Sequence, residues 1–215
     1  MKKYSSWLVL AVIIFAFIMM INQCSKPEAV ETDYSPIDTS KDPLQINLNY
    51  PDTIFLDYKD EYVYLIKKAN YDISAKVVSK EKYYRGWDGD LVPYDFALAW
   101  GNLVDKNLED KIKYSQLRRF YYYKYNAESP YRVDYISTHS ANNHLIPANK
   151  NIYRALRIVR EGELVQIKGF LVRLQGKINE ENVFWGTSLT RKDRGNRSCE
   201  LIYVKEVKYR QKIYR

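Results

Sequence analysis

The chain has 215 residues, with 34 Lys and Arg against 26 Asp and Glu, for a formal net charge of +8. Two cysteines are too few for a disulfide framework or a cysteine-held zinc cluster. Tyrosine is abundant at 21 residues and glycine scarce at 8, and no internal repeat or low-complexity tract is present.

The amino-terminal segment comes first in chain order. Trp7 to Ile21 is an unbroken apolar run preceded by Lys2 and Lys3. As a helix it covers about 22 Å, short of a hydrocarbon core of roughly 30 Å unless its polar flanks help. Residues 1–6 read as a cytoplasmic tip and residues 7–23 as a single-pass transmembrane anchor. No pair of small residues before Lys26 suits a signal peptidase. Lipidation at Cys24 is the lesser reading, because Gln23 and Asn22 precede it. The positive-inside rule places the remainder across the membrane, in the periplasm of a Gram-negative inner membrane.

Residues 24–51 carry Pro27, Pro36, Pro43 and Pro51 among polar residues and read as an extended tether. Residues 52–215 suit one β-rich domain. The expected fold class is α+β, mostly β, behind a single membrane helix. Alternation over Tyr71, Ile73, Ala75 and Val77 predicts a strand. Arg85 to Asp90 reads as a loop, and Phe96 to Val104 as a short helix capped by Asp95. Lys111 to Tyr125 reads as one long aromatic, basic strand, and Val133 to Ser137 as another. Thr138 to Pro147 reads as a loop. Asn149 caps a helix with the stripe Ile152, Ala155, Leu156 and Val159, ended by Gly162. Leu164 to Leu174 is a strand bent at Gly169. Val183 to Thr190 and Cys199 to Val207 are strands, joined by the turn Arg191 to Arg197.

The passage from Ile152 through Gly162 to the strand bent at Gly169, with the closing strand Tyr203 to Val207, resembles an OB-fold. The resemblance implies a partly open barrel with a helix plugging one end. It implies an oligonucleotide, oligosaccharide or protein ligand without choosing among them.

Both histidines fall in residues 138–147, with Asn142 and Asn143 between them. His139 or His144 can serve as a general base oriented by either amide, as in a small hydrolase. Both can hold a metal with Asp193 or Glu200. Packing of a long turn explains the same residues without chemistry. Two nuclease-like strings, Asn143-His144 and Asp193-Arg194-Gly195-Asn196, lack the residues that such chemistry needs. An anionic ligand such as nucleic acid or glycan would meet Arg191, Lys192, Arg194, Arg197 and Arg118, with Trp185 stacking. No cofactor is implied. The leading expectation is a non-enzymatic binding or scaffold module of the envelope, with protein partners in a membrane assembly.

Overall fold

The structure, a computed structural model, describes residues 7–8, 10–14, 26–50, 52–190 and 198–215. Strands hold 49 % of it and helices 19 %. The expected transmembrane helix is not shown. Trp7, Leu8 and residues 10–14 are helical and exposed, and the rest of the anchor, with Cys24, lies outside the described residues. Among the described residues no helix is long and apolar enough to cross a membrane. The fold class is corrected to a mostly β domain with a mixed sheet.

Five strands form a ring. They are β4 (Glu61–Lys82), β5 (Tyr94–Ala99), β8 (Ser140–Pro147), β11 (Glu200–Tyr209) and β9 (Leu164–Ile178). β4 pairs with β5, β5 with β8, β8 with β11, β11 with β9, and β9 returns to β4. Only β8 and β11 run parallel. Inside the ring lie Tyr71, Ile73, Phe96, Leu98, Leu145, Ile167 and Ile202. Helix α3 (Lys150–Ile158) lies between β8 and β9 in the chain and adds Ile152, Ala155 and Leu156 to this core. Its first turn is capped by Asn149, whose side chain accepts from Ile152 N at 2.9 Å. Its last turn is held by Lys80 Nζ, which donates to the carbonyls of Leu156, Arg157 and Val159.

β4 and β9 run on past the ring and gain β3 (Thr53–Tyr58) and β10 (Glu181–Trp185) at their edges. This extension curls over the outer face of the ring. Between them lies a second core of Leu65, Val172, Leu174, Ile146 and Leu201, joined by Trp87 and Leu91 of α1 (Gly86–Leu91). Such curling needs local give. Register shifts fall between Lys67 and Ala69 and between Val204 and Glu206. Gly169 sits where a Cβ would stand 2.0 Å from Tyr203 O, so only glycine lets β9 approach β11 there.

The long connection between β5 and β8 holds a hairpin, β6 (Ile112–Leu117) and β7 (Phe120–Tyr125), and then α2 (Val133–His139). A third core, with Leu103, Leu108 and Ile136, anchors it.

Several elements differ from the sequence-based expectation. Residues 94–99 are strand, because Tyr94, Phe96 and Leu98 fill the ring at period two. Lys111 to Tyr125 is two strands, because Arg118 and Arg119 take φ of 50° and 72° and reverse the chain. Val133 to His139 is helix, residues 86–91 form a short helix, and residues 140–147 are strand. The stretch expected as a tether is laid along the ring. β1 (Glu31–Thr32) pairs with β12 (Lys212–Tyr214), and β2 (Leu44–Asn47) pairs with β4. Asp42 accepts from Trp100 Nε1 at 2.9 Å.

Candidate functional site: the cleft at the hairpin tip

The two histidines sit at opposite ends of one run of chain. His139 closes α2 and His144 lies well along β8, five positions away. At roughly 3.3 Å per strand residue they are about 16 Å apart, too far to share a metal ion. His139 stacks on Tyr135 at 3.8 Å between ring centroids, and its Nδ1 lies 3.1 Å from Tyr135 O. Asp193 lies outside the described residues. Among the described residues no group of three His, Cys, Asp or Glu could hold a metal.

His144 faces outward from β8, opposite Asp95 on β5. Asp95 is fully buried and its Oδ1 faces a guanidinium and an imidazole. Arg119 Nη1 donates to it at 2.9 Å. His144 Nδ1 also lies 2.9 Å away, within ion-pair range but outside good hydrogen-bond direction. Asp95 Oδ2 is buried with no partner.

Arg119 is the centre of the cluster. It reaches in from the hairpin tip and donates to Asp88 Oδ2 at 3.0 Å and to Val92 O at 2.9 Å. Its guanidinium lies 3.5 Å from the Tyr83 ring centroid and 5.2 Å from that of Trp185. The hairpin is clamped to β8 as well. Asn142 Nδ2 donates to Arg119 O at 2.8 Å, Gln116 Nε2 donates to Asn142 Oδ1 at 2.7 Å, and Tyr121 donates to Ser140 O at 3.1 Å. Burial pushes the Tyr121 hydroxyl up to about 12, against the opposing hydrogen bond at Ser140.

A cleft of about 640 Å³ opens beside this cluster, between the hairpin tip, β9 and the end of β10. That volume suits a small molecule or a short piece of polymer. Phe120, His144, Arg173, Phe184, Trp185 and Cys199 line it, with Arg119, Gly186 and Thr187. Phe184 is 61 % exposed, so its ring face is available. Trp185 packs on His144 with centroids 4.7 Å apart. Arg119 is balanced by Asp88 and Asp95, whereas Arg173 has no carboxylate partner among the described residues and lies over Phe184 at 5.6 Å. The cleft is therefore aromatic and cationic.

Of the residues singled out in the sequence, His144 and Trp185 meet here, with Asn142 behind them. Asn143 turns into the ring, donating to Phe96 O and Ala141 O. Glu200 is buried at the start of β11, beside Asn143 in register. Arg118 is exposed at the hairpin tip, and its neighbour Arg119 takes the structural position. Arg191, Lys192, Arg194 and Arg197 lie outside the described residues. Sequence reasoning missed Asp95, Arg173 and Cys199 as residues of this site. The pair of arginines at a hairpin tip was the one local signal for Arg119. Comparison with known proteins brings no match: no family model, no curated protein and no solved structure is similar to the chain.

Proposed function

We propose that this chain is a binding module built on an OB-like barrel, and that its ligand is a single-stranded nucleic acid seated in the cleft at the hairpin tip. The observation that carries the reading is the exposed ring of Phe184, with Trp185 lining the same cleft, beside the guanidinium of Arg173, which has no carboxylate partner among the described residues. Flat bases stack on such rings, and a phosphate suits such a guanidinium. The ring order β4–β5–β8–β11–β9, with one parallel pair and α3 between β8 and β9, supports the barrel assignment. In such barrels the second and third strands, with the loops flanking them, carry the ligand. Here those strands are β5 and β8, which supply Asp95 and His144. The fold alone selects no ligand, so the weight rests on the side chains.

The test is anisotropy of a labelled single-stranded oligonucleotide against salt concentration. Phe184→Ala and Trp185→Ala should each weaken binding by about 1–3 kcal/mol, the worth of one stacked base. Arg173→Ala should lower the salt slope by about one phosphate contact. Binding that ignores salt and survives both aromatic substitutions would contradict the reading.

A further inference from the structure

We infer that the single strand leaves the cleft over Phe184 and crosses the open face of the sheet extension, its bases stacking on Tyr64, Tyr62 and Phe55. The inference rests on the nucleic-acid reading of the cleft and adds the path outside it. In the extension β3, β4, β9 and β10 lie side by side. Alternation sends Val63, Leu65, Val172, Leu174 and Val183 into the second core. It sends their neighbours to the opposite face. There Phe55, Tyr62 and Phe184 are 68, 62 and 61 % exposed, and Tyr64 lies half-buried beside them. Large rings gathered on one exposed face mark a docking surface.

Strand register makes the face continuous with the cleft. Phe184 stands opposite Gln175, Gln175 opposite Tyr64, and Tyr64 opposite Phe55. The walk from Phe184 to Phe55 covers three strand spacings, roughly 14 Å. Phe184 is also a wall of the cleft, so the two surfaces share a rim. Cations follow the same path. Arg173 lies over Phe184 at the rim, and Lys177 stands opposite Tyr62 farther out. Lys177 pairs with Glu180 in the adjoining turn, an exposed pair that yields readily to a phosphate. The carboxylate of this face, Asp57, stands opposite Tyr62 on β3, so negative charge lies at the end away from the cleft.

Ring geometry selects the occupant. Tyr62 and Tyr64 have centroids 5.6 Å apart with planes at 63°. Phe55 lies 6.2 Å from each, at 56° to Tyr62 and 45° to Tyr64. The Tyr64 hydroxyl donates to Gln175 Oε1 at 3.3 Å, which ties that ring to the strand between it and Phe184. Rings tilted this way form no flat row, and a stiff sugar chain needs one. The bases of a single strand turn independently about their glycosidic bonds, so each meets a ring at its own tilt. The cations beside the rings suit the phosphates between those bases.

The experiment measures anisotropy of labelled oligothymidylates on the full chain. One strand, of about three nucleotides, fills the cleft, and one of about eight reaches across the face, within the span that such barrels cover. The longer strand should bind at least about tenfold more tightly, through the bases it stacks outside the cleft. Phe55→Ala with Tyr62→Ala should abolish that gain and leave the shorter strand's affinity unchanged, with folding checked by thermal unfolding. Tyr62→Phe keeps the ring and should keep the gain. Lys177→Ala should lower the salt slope of the longer strand alone, by about one phosphate contact. If the double variant does not fold, the length comparison and Lys177→Ala decide. Equal affinity for both lengths, with Phe184→Ala weakening both, would leave the cleft reading standing and overturn the path. Failure of either length to bind would overturn both. Self-association of the parent that the double variant loses, or a length-dependent gain for glucan oligosaccharides and none for oligonucleotides, would give the face to a second copy or to a glycan and overturn the inference.

Discussion

Two histidines on one stretch of chain have opposite surroundings, and the contrast locates the site. His139 stacks between Tyr135 and the neighbourhood of Trp100, its Nδ1 held near a backbone carbonyl of its own helix. His144 faces a buried carboxylate on one side and an open cleft on the other. The difference arises in the insertion between β5 and β8. Its helix ends by packing His139 away, while its hairpin tip reaches across β5 to Asp95 and leaves a gap beside His144. The same inserted segment thus closes one end of the strand and shapes a site at the other.

The largest expected break in that contrast comes from Arg119. Arg119→Ala leaves Asp95 buried without its strongest partner and should cost about 3–5 kcal/mol in urea unfolding. His139→Ala removes ring stacking at a half-buried position and should cost about 1 kcal/mol. Equal effects would mean that the hairpin tip is not anchored as described.

Alkaline pH gives an intermediate effect. Burial raises the hydroxyls of Tyr94, Tyr114 and Tyr121 above the ordinary value of 10.0. In the unfolded chain they lose protons first, so the folded state loses stability as pH rises above about 10 toward 12. Below pH 10 that stability is fully present. A melting temperature that falls across this range, less steeply in Tyr121→Phe, is expected. A flat profile would show that the hairpin does not bury Tyr121 against β8.

Much of the ring was legible in the sequence. The alternation from Tyr71 to Val77, the Asn149-capped helix, the strand bent at Gly169 and the closing strand stand where their periodicity placed them. β5 and β8 were not legible, for one shared physical reason. Their outer faces carry Asp95, Ala97, Ser140, Asn142 and His144, yet all are buried beneath the hairpin or beside it. A strand whose buried outer face is small and polar reads as a cap or a loop when viewed locally. The site was half legible. His144 and Trp185 drew notice by residue type. Asp95 reads locally as a helix cap, because nothing in the sequence around it shows that it lies opposite His144. Arg173 looks like any charge on a strand until Phe184 of the neighbouring strand is placed beside it.

The most direct test of the cleft as the ligand site is the imidazole resonances of His139 and His144, followed while a short single-stranded oligonucleotide is titrated in. The account predicts that the His144 signals move in proportion to occupancy while those of His139 stay in place. Movement of His139 instead, or silence from both while anisotropy reports binding, would place the ligand elsewhere on the molecule.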